Sequence, residues 1–150
     1  MQALISPLKE LAEFQQMKEE LKRGSAFVQA AACVNSHKTH MMYALGDERK
    51  KKLIVCPSET KAKQTFEEYR FLDTYTWFYP AKDFLFYQAD IRSKELVKER
   101  MEVIRALLEE DSIAVVTSFD GLLDALLPLE EIRKKVFTIQ PGDVFEFEKL

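Results

Sequence analysis

The stretch SIAVVTS, residues 112–118, decides the fold class of this chain. Its apolar core, residues 113–116, lies between Ser112 and Thr117, which is typical of a short strand buried on both faces of a sheet. Two more runs have this character: KLIVCP, residues 52–57, and YTWFYP, residues 75–80. We therefore predict three buried strands, as found in parallel sheets whose faces are covered by helices.

Amphipathic helices are predicted between these strands. The first is capped by Ser58, with Ala62, Phe66, Tyr69 and Leu72 at helical spacing. The apolar positions of a longer helix, which is predicted to begin at Ser93, are Leu96, Val97, Met101, Ile104, Leu107 and Leu108. A short helix over Phe119 to Leu127 is expected to end at Pro128. Strands that alternate with helices predict an α/β fold, a parallel sheet with flanking helices.

Upstream of these strands, the chain is predicted to open with a helix over residues 7–23, since Ser6-Pro7 is a helix-start signal and Gly24 a stop. The apolar run SAFVQAAACV, residues 25–34, is predicted to form another buried strand. A short helix over residues 38–45, ended by Gly46, is expected to follow.

The last segment departs from this alternation. Residues 134–150, KKVFTIQPGDVFEFEKL, offer one strand, a Pro-Gly turn and the apolar start of a further element. We interpret this segment as the beginning of a following domain, truncated at its C-terminus. The predicted organisation is therefore an N-terminal helix over residues 1–23, an α/β domain over residues 24–133, and this domain start over residues 134–150.

Composition and charge exclude several classes of protein. Hydrophobic residues make up 47% and charged residues 31% of the chain, as in globular proteins. A net charge of -3 disfavours a domain that grips nucleic-acid phosphates, and the basic run at residues 49–52 is predicted to lie in a solvated loop. No run approaches the roughly 18 apolar residues of a membrane span, and no signal peptide is present. We expect a cytoplasmic protein whose two cysteines are reduced.

A degenerate phosphate-binding motif lies within AACVNSHKTH, residues 31–40. The P-loop pattern is G-x-x-x-x-G-K-[ST], and here Lys38 and Thr39 are present while Ala32 and His37 replace the two glycines. Those glycines allow backbone N–H groups to approach the phosphates, and the imidazole of His37 would stand in their way. We predict a vestigial P-loop that binds no cofactor.

The other parts of a phosphoryl-transfer site are also missing from the sequence. The strand at residues 113–118 carries no Walker-B aspartate, and Asp120 lies beyond it in a predicted helix. We therefore predict no catalytic residue in this chain. The alternative, which the residues leave open, is the nucleotide-binding half of a helicase-like ATPase with an unusual but live P-loop.

A zinc site is the rival interpretation of the same region. Cys33, His37, His40 and Cys56 are all the cysteines and histidines of the chain. Their spacing matches no common zinc pattern, and thiols in buried strands are ordinary core residues, so no metal is predicted. The aromatic residues between Tyr75 and Tyr87 could stack on bases, but packing in a core is the simpler interpretation.

The order of these motifs resembles a known family. A degenerate P-loop, then YPAKDFLFYQADIRSKELVKERMEVIRALL, then IAVVTSFDGLLDALLP, is similar to the N-terminal UvrB-homology region of bacterial transcription-repair coupling factors (Mfd). The matching residues are Tyr79-Pro80, Phe86-Tyr87, Ser93, Arg100, Ile113 to Val116 and Leu122 to Pro128. UvrB itself keeps an intact glycine-rich loop, so Ala32 and His37 agree with the coupling factors.

The resemblance implies a P-loop or helicase-like fold similar to the first domain of UvrB, over residues 24–133. It also implies that the full-length protein displaces stalled RNA polymerase in transcription-coupled nucleotide excision repair, with an ATP- and magnesium-dependent motor on DNA that lies downstream. The UvrA damage sensor is expected to dock on the following domain, which begins near Lys134. The present chain would then be a non-catalytic scaffold without membrane contact. A plain α/β ligand-binding domain remains a third interpretation.

Overall fold

A computed structural model gives the three-dimensional structure of the chain. It describes residues 5–25, 27–31, 33–46, 49–82, 90–123 and 125–135. The elements, in chain order, are a 3₁₀ helix Ser6–Glu10, α1 Ala12–Lys22, α2 Asn35–Gly46, β1 Lys51–Cys56, α3 Glu59–Arg70, β2 Thr76–Tyr79, α4 Asp90–Glu109, β3 Ile113–Ser118, α5 Phe119–Leu122 and α6 Leu129–Lys135.

The three strands form one parallel sheet in the order β1-β3-β2. Lys51 lies opposite Ile113 in one pair, and Thr76 lies opposite Ala114 in the other. The central strand β3 is buried along its whole length, as expected for a strand with a neighbour on each side and helices on both faces. The prediction of an α/β fold with a parallel sheet and flanking helices is confirmed.

One face of the sheet packs on α4. Val103 and Ile104 of α4 form a core with Ile113 and Val115 of β3 and with Tyr79 of β2. Alternate residues of a strand point to opposite faces, so this side takes the odd-numbered positions of β3. Each such aliphatic side chain contributes roughly 1.5–3 kcal/mol through its burial.

The other face packs on α3, which begins where the sequence predicts. The Ser58 side chain accepts a hydrogen bond from the Lys61 backbone N–H at 3.3 Å and so caps the helix. Ala62 of α3 is fully buried against Val116 of β3 and Cys56 of β1. The structure is therefore a layered arrangement of helix, sheet and helix.

A separate core joins the N-terminal residues to α2. Ile5, Leu8 and Phe14 are buried together with Met41 and Ala44. The prediction of one continuous helix over residues 7–23 is wrong, because Leu11 has an extended backbone and divides the 3₁₀ helix from α1. The break redirects the chain so that apolar residues on both sides of it are buried against α2.

The predicted strand at residues 25–34 is also wrong. Its described residues have no regular secondary structure, and Phe27 is 77% and Val34 is 70% exposed. Alanine occupies much of this run and has low strand propensity, and its small side chain adds little buried area. An apolar run without periodicity was therefore an insufficient signal for a buried strand.

The remaining differences concern where helices begin and end. Helix α2 begins at Asn35, three residues before the predicted start, and α4 begins at Asp90 instead of Ser93. The short helix predicted to reach residue 127 is α5, which ends at Leu122. The Pro128 carbonyl accepts the first hydrogen bonds of α6, so this proline starts a helix that was not predicted.

Some predictions concern residues outside the described ranges, and the predicted solvated loop at residues 49–52 is altered by an ion pair. The tail at residues 136–150 and the aromatic residues at 83–89 lie outside the described part of the chain. In the basic run, Arg49 and Lys50 are exposed as predicted, whereas Lys52 lies in β1 and pairs with Asp73 at 2.7 Å. Across the described ranges, the helices all lack the combination of length and apolar character needed for crossing a bilayer.

Candidate functional site at the carboxyl edge of the sheet

The carboxyl ends of the three strands meet where α3 and α5 begin, and ligands of open α/β sheets bind at this edge. Here the carboxylate of Glu59, in the first turn of α3, occupies the edge. The Ser118 hydroxyl donates to Glu59 Oε2 at 2.8 Å, and the Ala81 backbone N–H donates to the same carboxylate at 3.3 Å. One side chain thus joins the ends of all three strands.

A second layer of contacts fixes the residues around Glu59. The fully buried Thr117 hydroxyl donates to the Tyr79 carbonyl at 2.7 Å, which ties β3 to the end of β2. The Ser118 side chain also accepts from the Gly121 N–H at 3.2 Å and caps α5. A β-carbon at Gly121 would collide with the Thr117 hydroxyl, so only glycine fits this close approach.

Arg100 reaches the same edge from α4. Its side chain is buried and donates through Nη1 to the Pro80 carbonyl at 3.0 Å. The guanidinium lies over the Tyr79 ring at 4.3 Å from the centroid, a cation–π distance. Arg100 therefore holds the turn that follows β2. Arg100 is thus a positioning residue for the Tyr79-Pro80 turn.

Of the residues of the predicted vestigial P-loop, Lys38 and Thr39 line a cavity that the carboxyl end of β1 also lines. Ala32 is outside the described part of the chain, while His37, Lys38 and Thr39 lie in the first turns of α2. The Lys38 N–H is already bonded to the Val34 carbonyl at 3.0 Å. The backbone here is helical, whereas a phosphate cradle requires a loop whose N–H groups converge on the ligand.

The Thr39 hydroxyl is also engaged. Thr39 is buried, and its hydroxyl donates to Glu68 Oε2 of α3 at 2.8 Å. In a working P-loop this hydroxyl would bind magnesium next to the phosphates. The adjacent carboxylate repels phosphate oxygens, and Glu59 places a second carboxylate at the sheet edge. The absence of a bound nucleotide from the protein itself remains a prediction.

The structure separates the residues considered for zinc. Within the described ranges, no three histidine, cysteine or acidic side chains are placed to hold a metal ion. Cys33 Sγ lies 4.0 Å from Met41 Sδ, and Cys56 is buried in the core against α3. His40 Nε2 is buried, with no hydrogen-bond partner among the described residues. The absence of zinc from the protein itself remains a prediction.

Sequence reasoning missed two glutamates of α3: Glu59, at the sheet edge, and Glu68, near the other end of the helix. Glu59 follows the predicted cap Ser58. An acidic residue at this position indicates the start of a helix, because its negative charge interacts favourably with the positive N-terminal end of the helix dipole. Its bond to Ser118 joins positions 59 residues apart, and the bond of Glu68 to Thr39 joins positions 29 apart. Contacts between residues so far apart in the sequence produce no recognisable local pattern.

Comparison with known proteins adds no family assignment. No protein-family model matches the sequence, and no curated protein is significantly similar to it.

Proposed function

We propose that this chain is a non-catalytic structural and interaction module of a transcription-repair coupling factor. The observation that carries the proposal is a pair of contacts within the protein. The Thr39 hydroxyl of the motif donates to Glu68, and the Glu59 carboxylate, which accepts from Ser118, occupies the carboxyl edge of the sheet. A sheet whose carboxyl edge is occupied by the carboxylate of its own Glu59 is suited to a scaffold. On this proposal the fold derives from the P-loop domain of a UvrB-like protein that has lost its nucleotide.

The proposed task is to support the domain that recruits UvrA. That domain would begin near Lys134, which is the last but one residue of α6, so the helix would lead directly into it. ATP and magnesium would act only in the downstream motor of the full-length protein, which also contacts RNA polymerase and DNA. The net charge of -3 supports a module that itself makes no strong phosphate contacts.

Capture of UvrA tests this proposal. Residues 1–150 are immobilised beside a longer chain that contains the complete following domain, and both are exposed to purified UvrA. We expect strong capture by the longer chain and weak or no capture by residues 1–150. A variant of the longer chain with Glu68→Gln, which changes the partner of the Thr39 hydroxyl, is expected to capture UvrA as well as its parent.

The proposal has two clear points of failure. Strong and specific capture by residues 1–150 alone would place the binding surface in this domain instead of the next one. Equal failure of both chains, in a preparation where UvrA binds an established partner, would contradict membership in the UvrA-recruiting pathway.

A further inference from the structure

A cavity of about 570 Å³ lies between α1, α2, the carboxyl end of β1 and the start of α3. Its volume is within the roughly 300–1,000 Å³ of small-molecule sites. Twelve of its sixteen lining residues carry apolar or sulfur-containing side chains, and the other four are Lys38, Thr39, Lys61 and Thr65. An apolar wall with a few polar side chains is the usual composition of a ligand pocket.

The apolar wall is built from three elements and one irregular segment. Its main side chains are Met17 and Leu21 of α1, Met41, Met42 and Leu45 of α2, and Ile54 of β1. Val28, Ala30 and Cys33, from the run that the sequence predicts to be a strand, line a further side. Methionine side chains are flexible and polarizable, so this wall can adapt to hydrocarbon of varied shape.

The polar side chains of the cavity favour a ligand with a single negative charge. Lys38 is exposed, and the ammonium of Lys61 donates to the neutral Gln64 side chain at 3.0 Å, which leaves its charge uncompensated by that contact. The Thr39 hydroxyl is directed to the Glu68 carboxylate. A polyphosphate would meet that carboxylate, whereas a single carboxylate can lie at the lysines and leave Thr39 undisturbed.

We propose that this cavity binds a small amphipathic carboxylate. The carboxylate lies at Lys38 and Lys61, and its hydrocarbon chain packs on the methionines and leucines of α1 and α2. This proposal does not depend on the proposed function, because it concerns a ligand other than a nucleotide and a surface other than the UvrA-recruiting domain.

Straight-chain fatty acids are suitable probes. Hexanoate, octanoate and decanoate, below their micelle concentrations, are titrated into residues 1–150 labelled with ¹³C-methyl methionine. We expect saturable shifts at Met17, Met41 and Met42, while Met101, which lies on α4 and outside the cavity, serves as the internal control. Each added methylene is expected to tighten binding about threefold to fourfold because it buries apolar area.

The charge requirement is tested with variants and with an uncharged ligand. Lys38→Gln and Lys61→Gln should each weaken decanoate binding about threefold to fivefold. Lys63→Gln, at an exposed position of α3 outside the lining, should leave binding unchanged. Decanol should bind more weakly than decanoate to the unchanged protein, and neither lysine substitution should affect it.

Several results would overturn the proposal. These are the absence of saturable binding, equal affinity for decanol and decanoate, or shifts at Met101 as large as those at the cavity methionines. Unchanged decanoate affinity in both lysine variants would have the same consequence. The decanol comparison uses the unchanged protein, so it decides the question even if a variant folds poorly.

Discussion

Replacement of Glu59 by alanine should destabilise the domain by about 3 kcal/mol. The hydrogen bond from the buried Ser118 hydroxyl to the carboxylate is charge-assisted, and its loss costs about 1.5–2 kcal/mol. The longer bond from the Ala81 N–H adds about 1 kcal/mol. Loss of an acidic side chain in the first turn of α3 adds about 0.5 kcal/mol through the helix dipole.

Urea unfolding, followed by the fluorescence of the single tryptophan, Trp77, measures this loss. Trp77 packs against the core between the sheet and α4, so its emission reports on the whole domain. Glu67→Ala, at an exposed position of the same helix, is the matched control and should change stability by less than about 0.5 kcal/mol. A loss below about 1 kcal/mol for Glu59→Ala, or one equal to the control, would refute the role given to this carboxylate.

Two further substitutions test other contacts by the same measurement. Lys52→Met should lower the free energy of unfolding by about 2 kcal/mol because it removes the ammonium from the Asp73 carboxylate, whose side chain is only 12% exposed. The added change Asp73→Asn, which keeps the bond from the Tyr75 N–H to Oδ1, should recover at least half of that loss. A loss under about 0.5 kcal/mol would show that the ion pair is unimportant. Gly121→Ala should lower the free energy of unfolding by about 2–3 kcal/mol because its β-carbon collides with the Thr117 hydroxyl. The same change should cost less in a Thr117→Ala background. Equal costs in both backgrounds would place the strain elsewhere.

The parts of the fold that sequence predicts are those with strong local signals. The strand around Val116 is recognisable because it is buried on both faces and therefore apolar throughout. Ser58 marks the start of α3 because its side chain satisfies a backbone N–H of the first turn. Both features depend on a few adjacent residues, so a single sequence contains them.

The rest depends on contacts between distant parts of the chain. Residues 25–34 have the apolar character of a strand, but whether they join the sheet depends on their packing against β1 and α2. The candidate site shows the same limit. The motif identifies Thr39, whereas the carboxylate that its hydroxyl contacts belongs to Glu68, 29 positions away on α3. In the sequence, Arg100 is distinguished only by the family resemblance. Its role in holding the turn after β2 follows from its hydrogen bond to the Pro80 carbonyl.

Calorimetric titration of magnesium-ATP into residues 1–150 measures whether the motif at residues 31–40 binds a nucleotide. The comparison protein carries Ala32→Gly and His37→Gly, which restore the glycines of the P-loop pattern. We expect no saturable heat for the unchanged chain at millimolar nucleotide, and at most weak binding without hydrolysis for the double variant, since the sequence predicts no Walker-B acid. A dissociation constant in the micromolar range for the unchanged chain would establish a live nucleotide site and overturn the interpretation of residues 31–40 as a vestigial P-loop.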